Sequence, residues 1–408
     1  MLPAILGIGQ ICSWGTLYYS FPLIVLGMEQ ELGWTKAQLY TGATVGLLAT
    51  ALLSFPVGVG IDRGWGKWIM AGASLAAMLV LGWWSVTDSL LSFYIICGLN
   101  GAVQAAILYE PAFAVLARRV GPANARAGIT HITLWGGFAS TVFIPIIGAL
   151  ITQHGWRTTL LFLGMVNVVY GLIYLATINP KKDLDHASDA QAKKDNVARD
   201  RQIVRDNLRS RLFWILLIAL TVYAGSFSAF TFHMYPLLQE KGLSEADVIL
   251  TIAVIGPAQV LGRILVTMFA RDMPLRLVGA ILVALFPVTF ALLYPASISF
   301  WLVATLFGVY GLVNGIFTIV RSFMVPEMLS KHAYGALNGI ITISATVARA
   351  IMPLVAAWIW ETNRSYQPVI IAVVFLSLVL MATFWLAAWW SRPSLAGAKS
   401  QSQPRQPT

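Results

Sequence analysis

Three arginines stand inside long apolar stretches of this 408-residue sequence: Arg263, Arg321 and Arg349. A cation at the centre of a membrane-length helix costs roughly 2.5–3.5 kcal/mol on insertion scales, so each should face protein or water and meet a partner. Guanidinium groups recognise carboxylates through two parallel N–H donors. Glu110 is the only acid well inside such a stretch. Arg263 and Arg349 against one carboxylate leave an anion to come from outside the chain. The competing reading is a structural cation that donates to the carbonyls of a neighbouring helix.

Other reactive side chains are sparse. His131 and His233 could carry protons, because imidazole titrates near physiological pH; structural hydrogen bonding is the competing reading for both. The two cysteines, Cys12 and Cys97, are too few for a disulfide framework or metal cluster. They also lie in opposite halves of their helices, so no thiolates converge on a soft metalloid. An enzyme would need clustered acids, histidines or a nucleophile near one interface, and the sequence offers none. No catalytic residue, metal or cofactor is expected.

The elements that must hold these groups are membrane helices. Hydrophobic residues make up 58% of the chain and charged ones 11%, and the mean hydropathy is +0.75, far too apolar for a soluble protein of this size. With a span of about 20 residues as the template, twelve segments emerge, near 5–28, 38–61, 68–87, 90–117, 127–152, 158–178, 212–238, 248–270, 275–294, 297–325, 334–360 and 367–391. Pro22, Pro56, Pro145, Pro257 and Pro353 interrupt them in ways a bundle tolerates. The first stretch lacks a basic leader and is long enough to span, so it reads as a helix and not a cleaved signal.

Charge fixes the expected topology. If the N-terminus is cytoplasmic, twenty of the 27 Lys and Arg residues fall on the inner side, four outside (Lys36, Arg157, Lys241, Arg364) and three within helices. This is the positive-inside pattern, and it accounts for the +10 net charge without a nucleic-acid partner. The expected protein is a monomer in the plasma (inner) membrane, in contact with the lipid bilayer, with both termini cytoplasmic. Residues 179–211 read as a hydrophilic linker, partly an amphipathic surface helix, between six-helix halves at 1–178 and 212–391; 392–408 reads as a disordered tail.

A repeat supports the halves. Glu31-Leu-Gly33-Trp-Thr35-Lys-Ala37-Gln38 matches Glu240-Lys-Gly242-Leu-Ser244-Glu-Ala246-Asp247 at a shift of 209 residues, and both carry a capping-box pattern. The same shift lays Arg263 on Ser54 and Arg349 on Ser140, so the buried charge is confined to the C-terminal half. Helical spacing drafts a cavity. It aligns Gln259, Arg263 and Thr267; Asn338, Thr342 and Arg349; Gln10, Trp14, Tyr18 and Phe21; Tyr223, Phe230 and His233; and Tyr310, Asn314, Thr318 and Arg321.

The loop Gly58-Val-Gly-Ile-Asp62-Arg63-Gly-Trp-Gly66-Lys67 resembles the signature between helices 2 and 3 of the major facilitator superfamily, with its second glycine displaced by one place. Gly137 through Pro145 and Gly148 resemble that superfamily's fifth-helix Gly/Pro motif, followed by the common Gly155-Trp156-Arg157. The stretches 18–38 and 109–126 are similar to the monocarboxylate transporter and oxalate/formate antiporter branches. The resemblance implies an all-α membrane protein of twelve helices in two pseudo-symmetric halves that rock about a central cavity lined by helices 1, 4, 7 and 10. It further implies carboxylate-binding cations on helices 8 and 11. Monocarboxylate transporters carry an Asp four residues before the helix 8 arginine; here Gln259 takes that place, so an Asp-based proton site is missing.

The expected function is secondary transport of a small organic anion, a mono- or dicarboxylate, by alternating access, with proton symport and anion exchange both open. Its expected substrate-binding residues are Arg263, Arg349, Tyr18, Trp14, Tyr223, Gln259, Asn314 and His233. Expected gating residues are Asp62, Arg63 and Lys67, as a cytoplasmic latch, and Glu110 with Arg321, as an ion pair made when the protein opens outward. Glu110 pairing with Arg118, Arg119 or Arg126 is the alternative. Efflux of a drug or metalloid, and a membrane sensor without flux, stand as the other functional readings.

Overall fold

Prolines shape the bundle, because each removes a helical N–H and orphans the carbonyl four residues earlier, and lipid offers that carbonyl no water. In the computed structural model, which describes residues 2–120, 125–179, 202–269, 273–295, 299–329 and 334–391, four such carbonyls receive donors from other helices. Gln10 Nε2 donates to Ile107 O (2.9 Å) below Pro111, and Ser228 Oγ to Arg349 O (2.7 Å) below Pro353. Tyr40 OH donates to Phe232 O (2.7 Å) below Pro236, and Thr141 Oγ1 to Ala253 O (2.9 Å) below Pro257.

The helices are α1 (Leu2–Leu32), α2 (Lys36–Gly60), α3 (Gly66–Ser85) and α4 (Leu90–Val120). Next, Ala125–Gly136 continues through a turn into Ala139–Thr177, which breaks at Gly155 (φ 76°, ψ 166°). We label the part before Gly155 α5 and the part after it α6. After a short helix at 202–208 come α7 (Arg211–Glu240), α8 (Glu245–Val266), α9 (Leu275–Ala291), α10 (Phe300–Met324), α11 (Tyr334–Asn363) and α12 (Gln367–Trp390). Each predicted segment overlaps one of these. Ten of the described helices are long and apolar enough to cross a membrane, with Gly128–Thr177 taken as one, and Arg276–Ala291 is a shorter apolar helix. Among the described residues there is no strand.

Helices α1–α6 pack chiefly on one another, as do α7–α12, and the two groups meet along α2 with α11 and α5 with α8. The repeat is visible in the backbone. Gly33 (φ 69°) and Gly242 (φ 84°) both occupy the left-handed region that ends a helix. The Thr35 capping box is reciprocal. Ser244 accepts from Asp247 N, but the shorter Asp247 carboxylate accepts from the Ser244 hydroxyl instead of reaching the backbone. Of the predicted linker, residues 180–201 lie outside the described residues, as does the tail 392–408.

We call the side carrying Leu2 and the Ile61–Trp65 π-turn the terminal side, and the side carrying Gly33, Gly155 and Gly242 the far side. The far side is closed between the two helix groups. Ala37 N donates to Glu361 Oε1 (2.7 Å), Lys36 Nζ lies 4.6 Å over the Trp360 ring, and Thr44 Oγ1 donates to Ala350 O (2.7 Å). Deeper in, Phe232 meets the rings of Tyr18 (5.1 Å), Phe21 (5.5 Å) and Tyr40 (6.3 Å). The Gly155 break lets Trp156 Nε1 and Arg157 Nε both donate to Glu31, while Arg157 also pairs with Asp88 at 2.5 Å.

Candidate functional site

Close backbone approach between α8 and α10 builds the centre. A Cβ placed on Gly315 would lie 2.4 Å from Gln259 O, and one on Gly262 would lie 2.5 Å from Leu312 O. Small residues thus press the two helices together, and Arg263 Nε reaches Gly315 O at 3.4 Å. Across the seam, Gly136 on α5 leaves room for Tyr109, since a Cβ there would meet Tyr109 Oη at 2.2 Å, while one on Gly137 would be in ordinary contact with Arg263 Nη1 at 3.5 Å. Arg263 Nη1 donates to Thr133 O at 2.5 Å. Arg263 is buried, and its carbonyl partners on α5 and α10 are those of a structural cation that also ties the two helix groups together.

Tyr223 is the focus of the charges. Its hydroxyl donates to Asn314 Oδ1 at 2.5 Å, and Arg263, Arg321 and Arg349 all act on it electrostatically. Asn314, Thr318 and Arg321 lie at i, i+4 and i+7 on α10, one face of the helix. Arg349 is half-buried, its carbonyl held by Ser228 and its Nε enclosed without an acceptor among the described residues. Neither Arg321 nor Arg349 has an ion pair among the described residues.

An aromatic wall from α1 and α4 stands opposite. Trp14 touches Tyr18 (5.1 Å), Tyr19 (6.3 Å) and Tyr109 (5.1 Å), and Tyr109 stacks on Phe113 (5.3 Å). Trp14 Nε1 is enclosed without an acceptor among the described residues. Tyr18 lies against Ser228 and within electrostatic reach of Arg349, while Tyr19 and Tyr109 feel Arg263. Three tyrosines of this wall therefore lie within electrostatic reach of the cations.

Of the predicted substrate-binding residues, Trp14, Tyr18, Tyr223, Asn314, Arg263 and Arg349 come together here. Gln259 is half-buried where α8 meets α10. His233 does not join them: fully buried, it stacks on Tyr40 at 4.1 Å and bonds Pro353 O (2.8 Å) and Tyr366 Oη (2.9 Å). A carbonyl only accepts, so Nε2 carries the proton and Nδ1 accepts from Tyr366. That is the structural role weighed against proton carriage, and it places His233 in the far-side closure. Phe21 and Phe230 pack among other aromatics, and His131 is exposed.

The predicted gating groups lie toward the terminal side. Glu110 is exposed, within electrostatic reach of Arg321 but without an ion pair to it among the described residues. Lys67 Nζ lies 5.4 Å over the Trp68 ring, Arg63 is exposed, and Gly64 (φ 90°) makes the turn. The side chains of Asp62, Thr267 and Asn338 lie outside the described residues.

Residues 6–311 match the profile of the Major Facilitator Superfamily. The chain belongs to this superfamily of membrane transporters. Among curated proteins it is 22% identical to monocarboxylate transporter 12 of Rattus norvegicus and 21% identical to that of Mus musculus, each over 76% of this chain and 70% of the relative. Its fold is that of solved transporters. A bacterial homolog of the human lysosomal transporter Spinster, inward-facing and unoccupied, superposes with a TM-score of 0.72 at 13% identity, covering 96% of this chain and 98% of that one. The nucleoside transporter NupG gives 0.70 at 15% identity, covering 95% and 98%.

Helical projection missed Tyr19, Tyr109 and Thr133. The π-turn Gly15–Tyr19 holds one extra residue, so Tyr18 and Tyr19 both reach the wall where a 3.6-residue period admits one. Leu108 adopts an extended conformation (ψ −157°) ahead of Pro111, which re-aims Tyr109. The Gly311-x-x-x-Gly315 spacing was the available signal for the α8–α10 contact.

Proposed function

We propose that the protein carries a small organic anion, a carboxylate, across the membrane by alternating access, with both termini on the cytoplasmic face of the plasma membrane. The observation that carries this reading is a pair of enclosed donors on opposite helix groups, Trp14 Nε1 and Arg349 Nε, for which the described residues offer no acceptor. A buried donor left unpaired costs about 1–3 kcal/mol, and more when it is charged. A carboxylate supplies up to four acceptor sites and one negative charge, which satisfies both donors and draws the two groups of helices together around it. Neutral solutes bring acceptors without the charge, and a cation would meet three guanidinium groups. The similarity to monocarboxylate transporter 12 points the same way.

The test is ligand-dependent thermal stability of the purified protein, since a ligand that binds the folded state raises its melting temperature with concentration. Screened against acetate, lactate, succinate, benzoate, uridine and tetraphenylphosphonium, the protein should be stabilised by at least one carboxylate. Arg349→Gln should lose that shift. Stabilisation by uridine or the cation alone would overturn the reading.

A further inference from the structure

Arg321 was expected to gate; its surroundings give it another task. It shares a face of α10 with Asn314 and Thr318, and Asn314 holds the Tyr223 hydroxyl at 2.5 Å. Arg263 Nε touches the same helix at Gly315 O. Six residues separate Gly315 from Arg321, a rise of roughly 9 Å along the helix. Helical side chains lean toward the N-terminus, which is the direction of Gly315 from Arg321.

Charge points the same way. Three cations, Arg263, Arg321 and Arg349, act on Tyr223, and Glu110 is the one acid acting on Arg321 among the described residues. Three guanidinium groups against one carboxylate leave two positive charges. A bound monoanion leaves one of them uncompensated in an enclosed site, which is costly; a dianion neutralises both. Arg321 is half-buried and has no ion pair among the described residues.

We propose that Arg321 is a specificity-determining residue, the second anion subsite, so that the favoured substrate is a short dicarboxylate and not a monocarboxylate. This rests on the anion reading given above. Arg263 and Arg349 hold one carboxylate with Trp14, and Arg321 holds the other toward the terminal side, with Thr318 beside it.

The experiment is exchange of radiolabelled succinate and lactate by the full chain in liposomes, for the native protein, Arg321→Gln and Arg321→Lys, each checked for a monodisperse profile before reconstitution. The native protein should exchange succinate faster than lactate. Arg321→Gln should lower succinate exchange by about tenfold or more while lactate stays within about twofold, a loss confined to one substrate's transition-state binding; Arg321→Lys should keep most succinate exchange. Lactate preferred by the native protein, or an equal loss of both substrates in Arg321→Gln as an ion-pair gate requires, overturns the dicarboxylate assignment and leaves the anion reading standing. If the native protein moves neither anion, the dicarboxylate assignment falls.

Discussion

The Tyr40 hydroxyl on α2 donates to the Phe232 carbonyl on α7 at 2.7 Å, the carbonyl that Pro236 deprives of its helical donor. One proline thus creates, inside one helix group, an acceptor that only the other group fills. Thr141 and Ala253 repeat the arrangement across α5 and α8, with Pro257 as the cause. If the groups rock apart as proposed, such bonds can break, because the orphaned carbonyl then meets water in an opened cavity instead of lipid.

Tyr40→Phe keeps the ring stacked on His233 and removes the donor. The closed far side should lose about 1–3 kcal/mol, the cost of a buried unpaired carbonyl. Alkylation of a single reporter cysteine, Ala43→Cys in a background lacking Cys12 and Cys97, should then proceed faster from the far side with a membrane-impermeant reagent. An unchanged rate means that this bond does not hold the closure.

Gly256 sits at the α5–α8 crossing, where a Cβ would lie 2.0 Å from Thr141 Oγ1 and 2.8 Å from Gly137 O. Gly256→Ala should therefore lower the melting temperature, by overpacking of about 1–3 kcal/mol. Thr141→Ala should lower it as well, by orphaning Ala253 O. The two changes share one contact, so the double variant should be less destabilised than the sum; strict additivity would show the crossing to be slack.

Gly155 takes φ 76° with ψ 166°, a region essentially restricted to glycine. Gly155→Ala should cost about 1–3 kcal/mol, read as a lower melting temperature. It should also loosen the Glu31–Arg157–Asp88 cluster that follows the turn. A melting temperature unchanged from the native protein would contradict the strain assigned here.

Arg263→Lys retains the charge but cannot present the fork that donates to Thr133 O and reaches Gly315 O. Carboxylate exchange should fall about tenfold even though the site's charge is conserved, because both the tie between α5 and α8 and the orientation of the cation are lost. Native rates in Arg263→Lys would reduce Arg263 to a point charge.

Apolar length and helical period made the segments and the stripe of Asn314, Thr318 and Arg321 legible in the sequence, the family resemblance marked the α5 glycines, and the capping pattern at Thr35 and Gln38 marked the start of α2. What stayed hidden depends on departures from the regular helix. Tyr19 and Tyr109 follow a π-turn and an extended residue, which no fixed period anticipates. Arg263 was legible as a costly cation, but its bond to Thr133 O joins it to a helix more than a hundred residues away. His233 shared a stripe with Tyr223, yet Pro353 O and Tyr366, both distant in sequence, claim its two ring nitrogens.

The account turns on Arg349 and Trp14 sharing one carboxylate between the two helix groups. Its most direct test is exchange of a panel of radiolabelled mono- and dicarboxylates in proteoliposomes, with native protein, Arg349→Gln and Trp14→Phe. Charged hydrogen bonds contribute about 1.5–3 kcal/mol each, and each 1.4 kcal/mol is a factor of ten. At least one carboxylate should therefore exchange in the native protein, with about tenfold or greater losses in both variants. If no carboxylate exchanges, or if the exchanged carboxylate moves at native rates in Arg349→Gln, the account is wrong.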